Sequence, residues 1–196
     1  MVSRAEQRQT TLLRLGDAAI ELFEECGPRA TIDAIAERAG VSRRTVFRWF
    51  DAKEELAFVH PLLWFDVFQA ALDSQPSDRA PADRLRQASL AIARHVDSDP
   101  APPRRAFVVA ASYPELARGF YSIFQRWIDR VAAEAQLAGV DPFEARVIGS
   151  AVMGMVDAAS REWLAAPAGT SFEEILASGI EYVDELLHRL DRASET

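Results

Sequence analysis

The sequence predicts an all-α protein, and three observations carry that prediction. Apolar residues recur every three and four positions along nearly the whole chain, as one buried helix face requires. No stretch alternates with period two, and no Asn-Gly or Asp-Gly hairpin turn occurs. Capping residues, glycines and prolines fall mostly between the periodic runs, where helices start and stop.

The first helix is expected over about Gln7 to Glu25, with Leu12, Leu15, Ala19, Leu22 and Phe23 on its buried face, and Gly27 and Pro28 stop it. Near the start of the chain, Arg4 and Arg8 read as an unstructured tail, with a minor-groove arm as the alternative. Thr31 caps a short second helix, Ile32 to Ala39, whose stripe is Ile32, Ile35 and Ala36. Gly40 suits a tight turn with positive φ. Ser42 caps a third helix through about Trp49, and a fourth, strongly apolar helix begins near Lys53. Pro61 lies inside it. Proline removes one backbone hydrogen bond and crowds the preceding turn, so a kink is expected near Ala57 to His60.

A polar linker from Ser74 to Pro81 precedes a fifth helix, to about Val96. Asp97 to Pro103 is a proline-rich break, Arg104 to Ser112 a short helix, and Pro114 opens a longer one to about Leu137. Asp141-Pro142-Phe143-Glu144 and Ser171-Phe172-Glu173-Glu174 read as capping boxes. They open the last two helices, which end near Leu164 and Leu190.

Composition excludes several function classes. The 196 residues hold one cysteine, Cys26, so an intramolecular disulfide framework and a CxxC metal cluster are ruled out and a reducing cytoplasm is expected. No signal peptide is visible, and the longest purely apolar run, Ala106 to Ala111, is too short to span a bilayer. His60, His95 and His188 lack metal-ligand spacing. No GxSxG, P-loop or GxGxxG motif occurs, so no enzyme, metal or cofactor is expected. The net charge of −8 speaks in bulk against nucleic acid, which leaves the question to where the charges lie.

They lie unevenly. Residues 1–56 carry 9 basic and 10 acidic side chains, and residues 57–196 carry 13 and 20. Arg38 to Phe50 holds four arginines and no acid. It lies within residues 31–50, which read as two short helices joined by a glycine turn, the layout of a helix-turn-helix whose second helix enters the DNA major groove. Arginine pairs bidentately with guanine O6 and N7, and threonine touches the thymine methyl. Serine, lysine and backbone amides at the helix start suit phosphate, so Ser42, Arg43, Arg44, Thr45 and Arg48 are DNA-binding candidates. Val46 and Phe50, four apart, would seat the helix on Ile35, Ala36 and Phe23.

The run Thr31-Ile32-Asp33-Ala34-Ile35-Ala36-Glu37-Arg38-Ala39-Gly40-Val41-Ser42, continued by Arg43-Arg44-Thr45-Val46-Phe47-Arg48-Trp49-Phe50 and Asp51-Ala52-Lys53-Glu54-Glu55-Leu56, resembles the TetR family of bacterial transcriptional regulators. Ala18 to Phe23 and Gly27 match as well. The resemblance implies a nine-helix, all-α homodimer with a DNA-binding domain over 1–56 and an effector-binding and dimerisation domain over 57–196. It implies that Thr31, Trp49 and Lys53 contact phosphate and that Arg43, Arg44, Thr45 and Phe47 face bases. Phe47 stands where many relatives carry tyrosine, and Trp49 where histidine or tyrosine is common. The first change removes a phenolic hydrogen bond; the second keeps an indole N–H donor.

Further along, aromatic and sulfur side chains accumulate. Trp64, Phe68, Phe107, Tyr113, Phe120, Tyr121, Phe124 and Met153 are candidates for an apolar effector cavity. Phe65, Trp127, Trp163 and Met155 belong to the same aromatic and methionine set, and His95, Arg104 and Arg105 are polar candidates. Pro103-Arg104-Arg105, Pro114-Glu115-Leu116, Trp127 and Glu162-Trp163-Leu164 resemble the C-terminal halves of actinobacterial TetR-type regulators, including the mycofactocin-regulator group. That likeness implies a long-chain acyl-CoA or other lipophilic effector, with Arg104 or Arg105 as anion partner.

The last two long helices repeat apolar residues at three and four. Val152, Met155, Val156 and Ala159 on one, with Ile180, Val183 and Leu187 on the other, predict a two-fold four-helix dimer interface. The expected mechanism is a ligand-responsive repressor. Two reading helices sit one DNA turn apart, and an effector favouring another angle of the fourth helix changes their spacing. An alternative, a helical adaptor or ligand-binding protein without DNA function, leaves the arginine segment unexplained.

Overall fold

The computed structural model describes residues 3–76 and 78–182. Among them are nine α-helices, two short 3₁₀ segments and no strand. The helices are α1 (Arg4–Cys26), α2 (Ile32–Ala39), α3 (Arg43–Phe47), α4 (Val59–Asp73), α5 (Pro81–Ser98), α6 (Ala101–Ala111), α7 (Ala117–Leu137), α8 (Pro142–Ala165) and α9, whose described part is 172–182. The 3₁₀ segments are Gly27–Arg29 and Lys53–Phe58. The all-α class and the element order agree with the sequence reading.

The chain packs into two compact units. One comprises residues up to Phe65 with Ala101–Arg126; the other comprises Asp66–Pro100 and the chain from Trp127 on. The sequence reading divides the chain into 1–56 and 57–196, and the packing units cut it differently, because helix pairing rather than chain order decides packing.

In the first unit α1 packs on α2, on α6 and on the Lys53–Phe58 segment, and α2 packs on α3. Leu12, Leu15, Phe23, Ile35, Val46, Phe50 and Leu56 are fully buried there. The chain's start differs from expectation. Ser3 and Glu6 form a capping box, with Ser3 Oγ accepting the Glu6 N–H (3.1 Å) and Glu6 Oε2 accepting the Ser3 N–H (2.6 Å). Arg4 and Arg8 are therefore helical, not a tail. Gly27 has φ +60°, and the Tyr113 ring lies 2.9 Å from where a Cβ would stand, so both backbone and space require glycine.

Pro61 does not kink a continuous helix. Lys53–Phe58 is 3₁₀, α4 begins at Val59, and Pro61 takes the third place of α4. Backbone N–H groups in a helix's first turn have no intrahelical partner, so proline's missing donor costs little there.

In the second unit Phe68, Leu72, Ala88, Val96, Trp127, Val131, Ala145, Trp163 and Leu176 are buried. Gly149 lets α8 approach α7: a Cβ there would lie 2.6 Å from the Ile128 carbonyl oxygen. Asp97, near the end of α5, caps α9 by accepting from Ser171 Oγ (2.7 Å), Phe172 N–H (2.7 Å) and Glu173 N–H (3.0 Å). The expected break at 97–103 shrinks to Asp99–Pro100, since α5 runs to Ser98 and α6 opens at Ala101 with Pro102 and Pro103 in its first turn. Pro114 opens a turn, and α7 starts at Ala117.

Candidate nucleic-acid interface and effector core

Local chemistry builds the reading head. Thr31 Oγ1 accepts the Ala34 N–H (3.2 Å) and starts α2, which Gly40 ends at φ +65°. Ser42 Oγ accepts the Thr45 N–H (3.1 Å) and lies 2.9 Å from Thr45 Oγ1, so both hydroxyls are engaged at the head of α3. Val46 is fully buried, which turns Arg43, Arg44, Phe47 and Arg48 outward, all exposed. Phe47 shows 45% of its surface, a large apolar ring kept in water beside three arginines. An exposed apolar ring in a basic patch is suited to contact with a thymine methyl.

The arginines divide by role. Arg38 bonds Glu25 (2.5 and 3.0 Å) and reaches Glu21 (3.5 Å), which ties α2 to α1. That pairing holds the Glu25 carboxyl below its usual range and raises Arg38 further. Arg43 pairs with Asp33 (3.1 Å) and lies 5.3 Å over the Phe47 ring. Arg48 stacks 4.1 Å over Trp49. Arg44 makes no ion pair among the described residues and is exposed. Lys53 is half-buried and donates to the carbonyls of Pro28 and Ala30 (3.0 Å for the second), which leaves one ammonium N–H for other partners.

Residues the sequence reading passed over hold the segment after α3. Glu55 is 3% exposed. Its carboxylate accepts from Ser122 Oγ–H (2.6 Å), the Asp51 N–H (3.2 Å) and Arg126 (3.4 Å). A Cβ on Gly119 would lie 2.3 Å from the Glu54 carbonyl carbon and oxygen. Gly119, Ser122 and Arg126 stand at i, i+3 and i+7 on α7, so one helix face grips the 3₁₀ segment. Arg105 on α6 binds Glu24 on α1 through Nε (2.9 Å) and a terminal nitrogen (2.5 Å). The guanidinium keeps the Glu24 carboxyl below the usual carboxylate range.

The aromatic candidates sort between the two units. In the first, Phe58, Trp64, Phe107, Phe120 and Phe124 form one ring cluster. Phe58 lies 6.1 Å from Phe107 and 5.5 Å from Phe120, Trp64 lies 6.5 Å from Phe107, and Phe120 lies 5.5 Å from Phe124. Phe58, fully inside this cluster, was not singled out from the sequence. Tyr113 lies against Gly27, Arg104 is half-buried, and Tyr121 is 66% exposed. In the second unit Phe68 meets Trp127 edge-on (5.4 Å), Met153 is buried, and His95 is exposed. A cavity of about 260 Å³ lies in the first unit, lined by Asp17, Ile20, His60, Pro102, Arg105 and Ala106 among others. Of the effector candidates read from the sequence, Arg105 lines it and the aromatic ones do not.

Of the dimer candidates, Val152, Met155, Val156 and Ile180 are half-buried and Ala159 is buried within the protomer. Val183 and Leu187 lie outside the described residues. Phe143 (76% exposed) and Val147 (52%) add unburied apolar surface on α8. Among the described residues no group of acids, histidines or cysteines is arranged to hold a metal ion, and no helix is long and apolar enough to cross a membrane.

Comparison with known proteins places this geometry. Residues 15–58 match the tetR family of bacterial regulatory proteins, and residues 79–188 match the MftR C-terminal domain. The chain is 27% identical over 190 residues to the mycofactocin biosynthesis transcriptional regulator MftR of Mycobacterium tuberculosis, covering 95% of this chain and 96% of that protein. Among solved structures it resembles the TetR-family repressor FadR of Thermus thermophilus in complex with lauroyl-CoA (TM-score 0.56, 20% identity, 87% of this chain and 91% of that one). It also resembles FadR of Bacillus subtilis in complex with stearoyl-CoA (TM-score 0.51, 16% identity, 86% and 95%).

Proposed function

Because the chain belongs to the TetR family of transcriptional regulators, with a C-terminal domain of the MftR type, we propose that it is a cytoplasmic repressor that leaves its operator when a small acyl-bearing molecule binds its effector core. Members of this family are DNA-binding regulators and not enzymes, and they dimerise. The observation that carries the reading is the path from ring cluster to reading head inside one compact unit. Phe58 ends the Lys53–Phe58 segment and packs on Phe107 of α6 and Phe120 of α7. The same segment is tethered to the head by Lys53, on the Pro28 and Ala30 carbonyls, and by Glu55, on the Asp51 N–H.

An acyl chain entering this cluster parts the Phe107, Phe120 and Phe124 rings and displaces Phe58. The tethers pass that displacement to α3. Two reading helices must stand about 34–36 Å apart to enter successive major grooves, so a small reorientation in each protomer lowers affinity for the operator. The effector acts by binding the non-reading arrangement better, which is a population shift. The two FadR structures, each bound to an acyl-CoA, support this ligand class. Arg104 and Arg105, both on α6 of this unit, are our candidates for the anionic end. In this proposal Thr31, Ser42, Trp49 and Lys53 contact phosphate, and Arg43, Arg44, Thr45 and Phe47 face bases. The same proposal pairs two copies through α8 and α9, around Val152, Met155, Val156 and Ile180.

The test begins with DNA selected by the protein from a random pool. Lauroyl-CoA is then titrated into the complex. The expected result is saturable release of DNA, with Phe120→Ala shifting the acyl-CoA response and Arg43→Ala with Arg44→Ala abolishing DNA binding while the dimer persists. Selection that enriches no sequence refutes the DNA reading. A complex indifferent to acyl-CoAs from eight to eighteen carbons refutes the effector reading.

A further inference from the structure

Three exposed arginines stand on or beside the reading helix, and one of them is held on two sides. Arg43 Nη1 donates to both oxygens of the Asp33 carboxylate (3.1 Å each), which ties the first residue of α3 to the first turn of α2. Its guanidinium carbon lies 5.3 Å from the centre of the Phe47 ring, four residues on along the same helix. Arg44 has no such anchor among the described residues, and Arg48 is stacked on Trp49 (4.1 Å).

This arrangement leaves one edge of Arg43 unused. A guanidinium carries five N–H donors. The two on Nη1 are engaged by Asp33, and those on Nε and Nη2 take no partner among the described residues. The Nε–H and one Nη2–H run parallel, as a fork that fits two neighbouring acceptors. In the major groove guanine offers such a pair, O6 and N7. Adenine sets a donor, its N6 amine, beside N7 and cannot satisfy both prongs.

Stability does not account for the pairing. The Arg43 and Asp33 side chains are 61% and 67% exposed, and exposed ion pairs add little to folding. Close to DNA an acid also repels phosphate, so Asp33 by its charge alone weakens binding to any sequence. What the carboxylate supplies is order. Arginine is long and rich in rotamers, and fixing it before DNA arrives spares the cost of ordering it at the interface. Asp33 also lies in the first turn of α2, where an acid favours the helix; that contribution shows in melting and not in base choice.

We infer that Asp33 is a positioning residue for sequence reading: it holds Arg43 over Phe47 so that the unused Nε–Nη2 edge meets O6 and N7 of one guanine in each half-site. The inference rests on the DNA-binding reading and deepens it, by naming the base that Arg43 selects and the side chain that sets the selection.

The experiment starts from DNA selected by the full-length protein out of a random pool. Its guanines are replaced one at a time by 7-deazaguanine, which lacks the N7 acceptor, and affinity for selected and unselected duplexes is read by fluorescence anisotropy. At one position per half-site the replacement should weaken binding of the unaltered protein about tenfold, and Arg43→Ala should be blind to it. Asp33→Ala should bind selected DNA about threefold to tenfold less tightly, and its sensitivity to the replacement should fall to about threefold or less. The same variant should bind unselected DNA more tightly, because a charge that repels phosphate is gone. Asp33→Glu, which keeps a carboxylate, should restore part of the discrimination. Melting curves establish that each variant is folded at the assay temperature. A purely structural role moves both duplexes in one direction, so Asp33→Ala that weakens both alike, or tightens both alike, overturns the inference. Full 7-deazaguanine sensitivity in Asp33→Ala overturns it too, and leaves the DNA reading standing. A pool from which no sequence is enriched overturns that reading, and this inference with it.

Discussion

Replacing Gly119 with alanine tests whether the grip of α7 on the Lys53–Phe58 segment is real. Gly119 is the third residue of α7, with ordinary helical geometry. Helix propensity alone favours alanine there by up to about 1 kcal/mol. The structure predicts the opposite sign. The new Cβ would stand 2.3 Å from the Glu54 carbonyl carbon and oxygen and 2.7 Å from the Glu55 nitrogen, against an ordinary contact of 3.4 Å or more. All three neighbours are backbone and cannot rotate aside, so helix and segment must separate by about 1 Å. Overpacking of this kind costs about 1–3 kcal/mol. The same separation stretches the 2.6 Å bond from Ser122 to Glu55 and adds about 1 kcal/mol for a buried carboxylate that loses a donor. After subtraction of the propensity gain, the net loss is about 1–3 kcal/mol. At about 2–4 °C per kcal/mol for a chain of this size, melting falls by roughly 2–12 °C. Urea unfolding followed by circular dichroism, at one fixed protein concentration, measures it. Arg118→Ala, next door and exposed, serves as control and should stay within about 0.5 kcal/mol. Affinity for selected DNA should fall as well, because the segment is tethered to the reading head. A Gly119→Ala variant that melts at or above the parent refutes the reasoning.

Three further outcomes follow from named contacts. Arg44→Ala should weaken selected DNA by about 1–3 kcal/mol and relax specificity at one base pair without moving the melting curve, since the side chain is exposed and forms no ion pair among the described residues; fluorescence anisotropy and repeated selection check this. Asp97→Ala removes three hydrogen bonds at the start of α9 and should cost about 1–2 kcal/mol in urea melts while DNA affinity per folded protein stays unchanged. The Glu24–Arg105 pair sets a pH dependence. Because the folded protein holds Glu24 below its usual range, the pair's stabilisation is present above the unfolded glutamate value of about 4.3. It fades as pH falls through the lower folded value. Both side chains are more than 40% exposed, so the contribution is at the low end of about 0.2–1 kcal/mol. A double-mutant cycle of Glu24→Gln and Arg105→Gln should show coupling at pH 7 that declines as the solution is acidified below that unfolded value, and coupling that does not weaken on acidification contradicts the assignment.

The head was legible because the signals that mark it are short in range. Thr31, Gly40 and Ser42 act within three or four residues of themselves, and the arginines are grouped on one short stretch. The same holds for Asp141 at the start of α8, whose side chain accepts the Phe143 and Glu144 N–H groups. Ser3 with Glu6 is an equally local signal at the chain's start. For Pro61, whether it kinks a helix or sits near its start depends on where the 3₁₀ segment ends, and tertiary packing sets that boundary.

Long-range pairing was not legible. Glu55 looks like a surface acid in an apolar run, yet its donors Ser122 and Arg126 stand 67 and 71 residues further on. Lys53 reads by position as a phosphate contact, and in the fold it also closes the carbonyls of Pro28 and Ala30. The aromatic residues form a single set in the sequence, and the fold divides them, with Phe58, Phe107 and Phe120 together in one unit and Phe68 with Trp127 in the other.

The sequence by itself determined the all-α class, the reading head and the family, since helical period, capping chemistry and charge grouping are written in neighbouring residues. Only the tertiary structure decided which helix grips the segment behind the head and which rings touch. Those outcomes depend on how helices far apart in the chain pair, and a periodicity that marks a face as apolar says nothing about which other face will cover it.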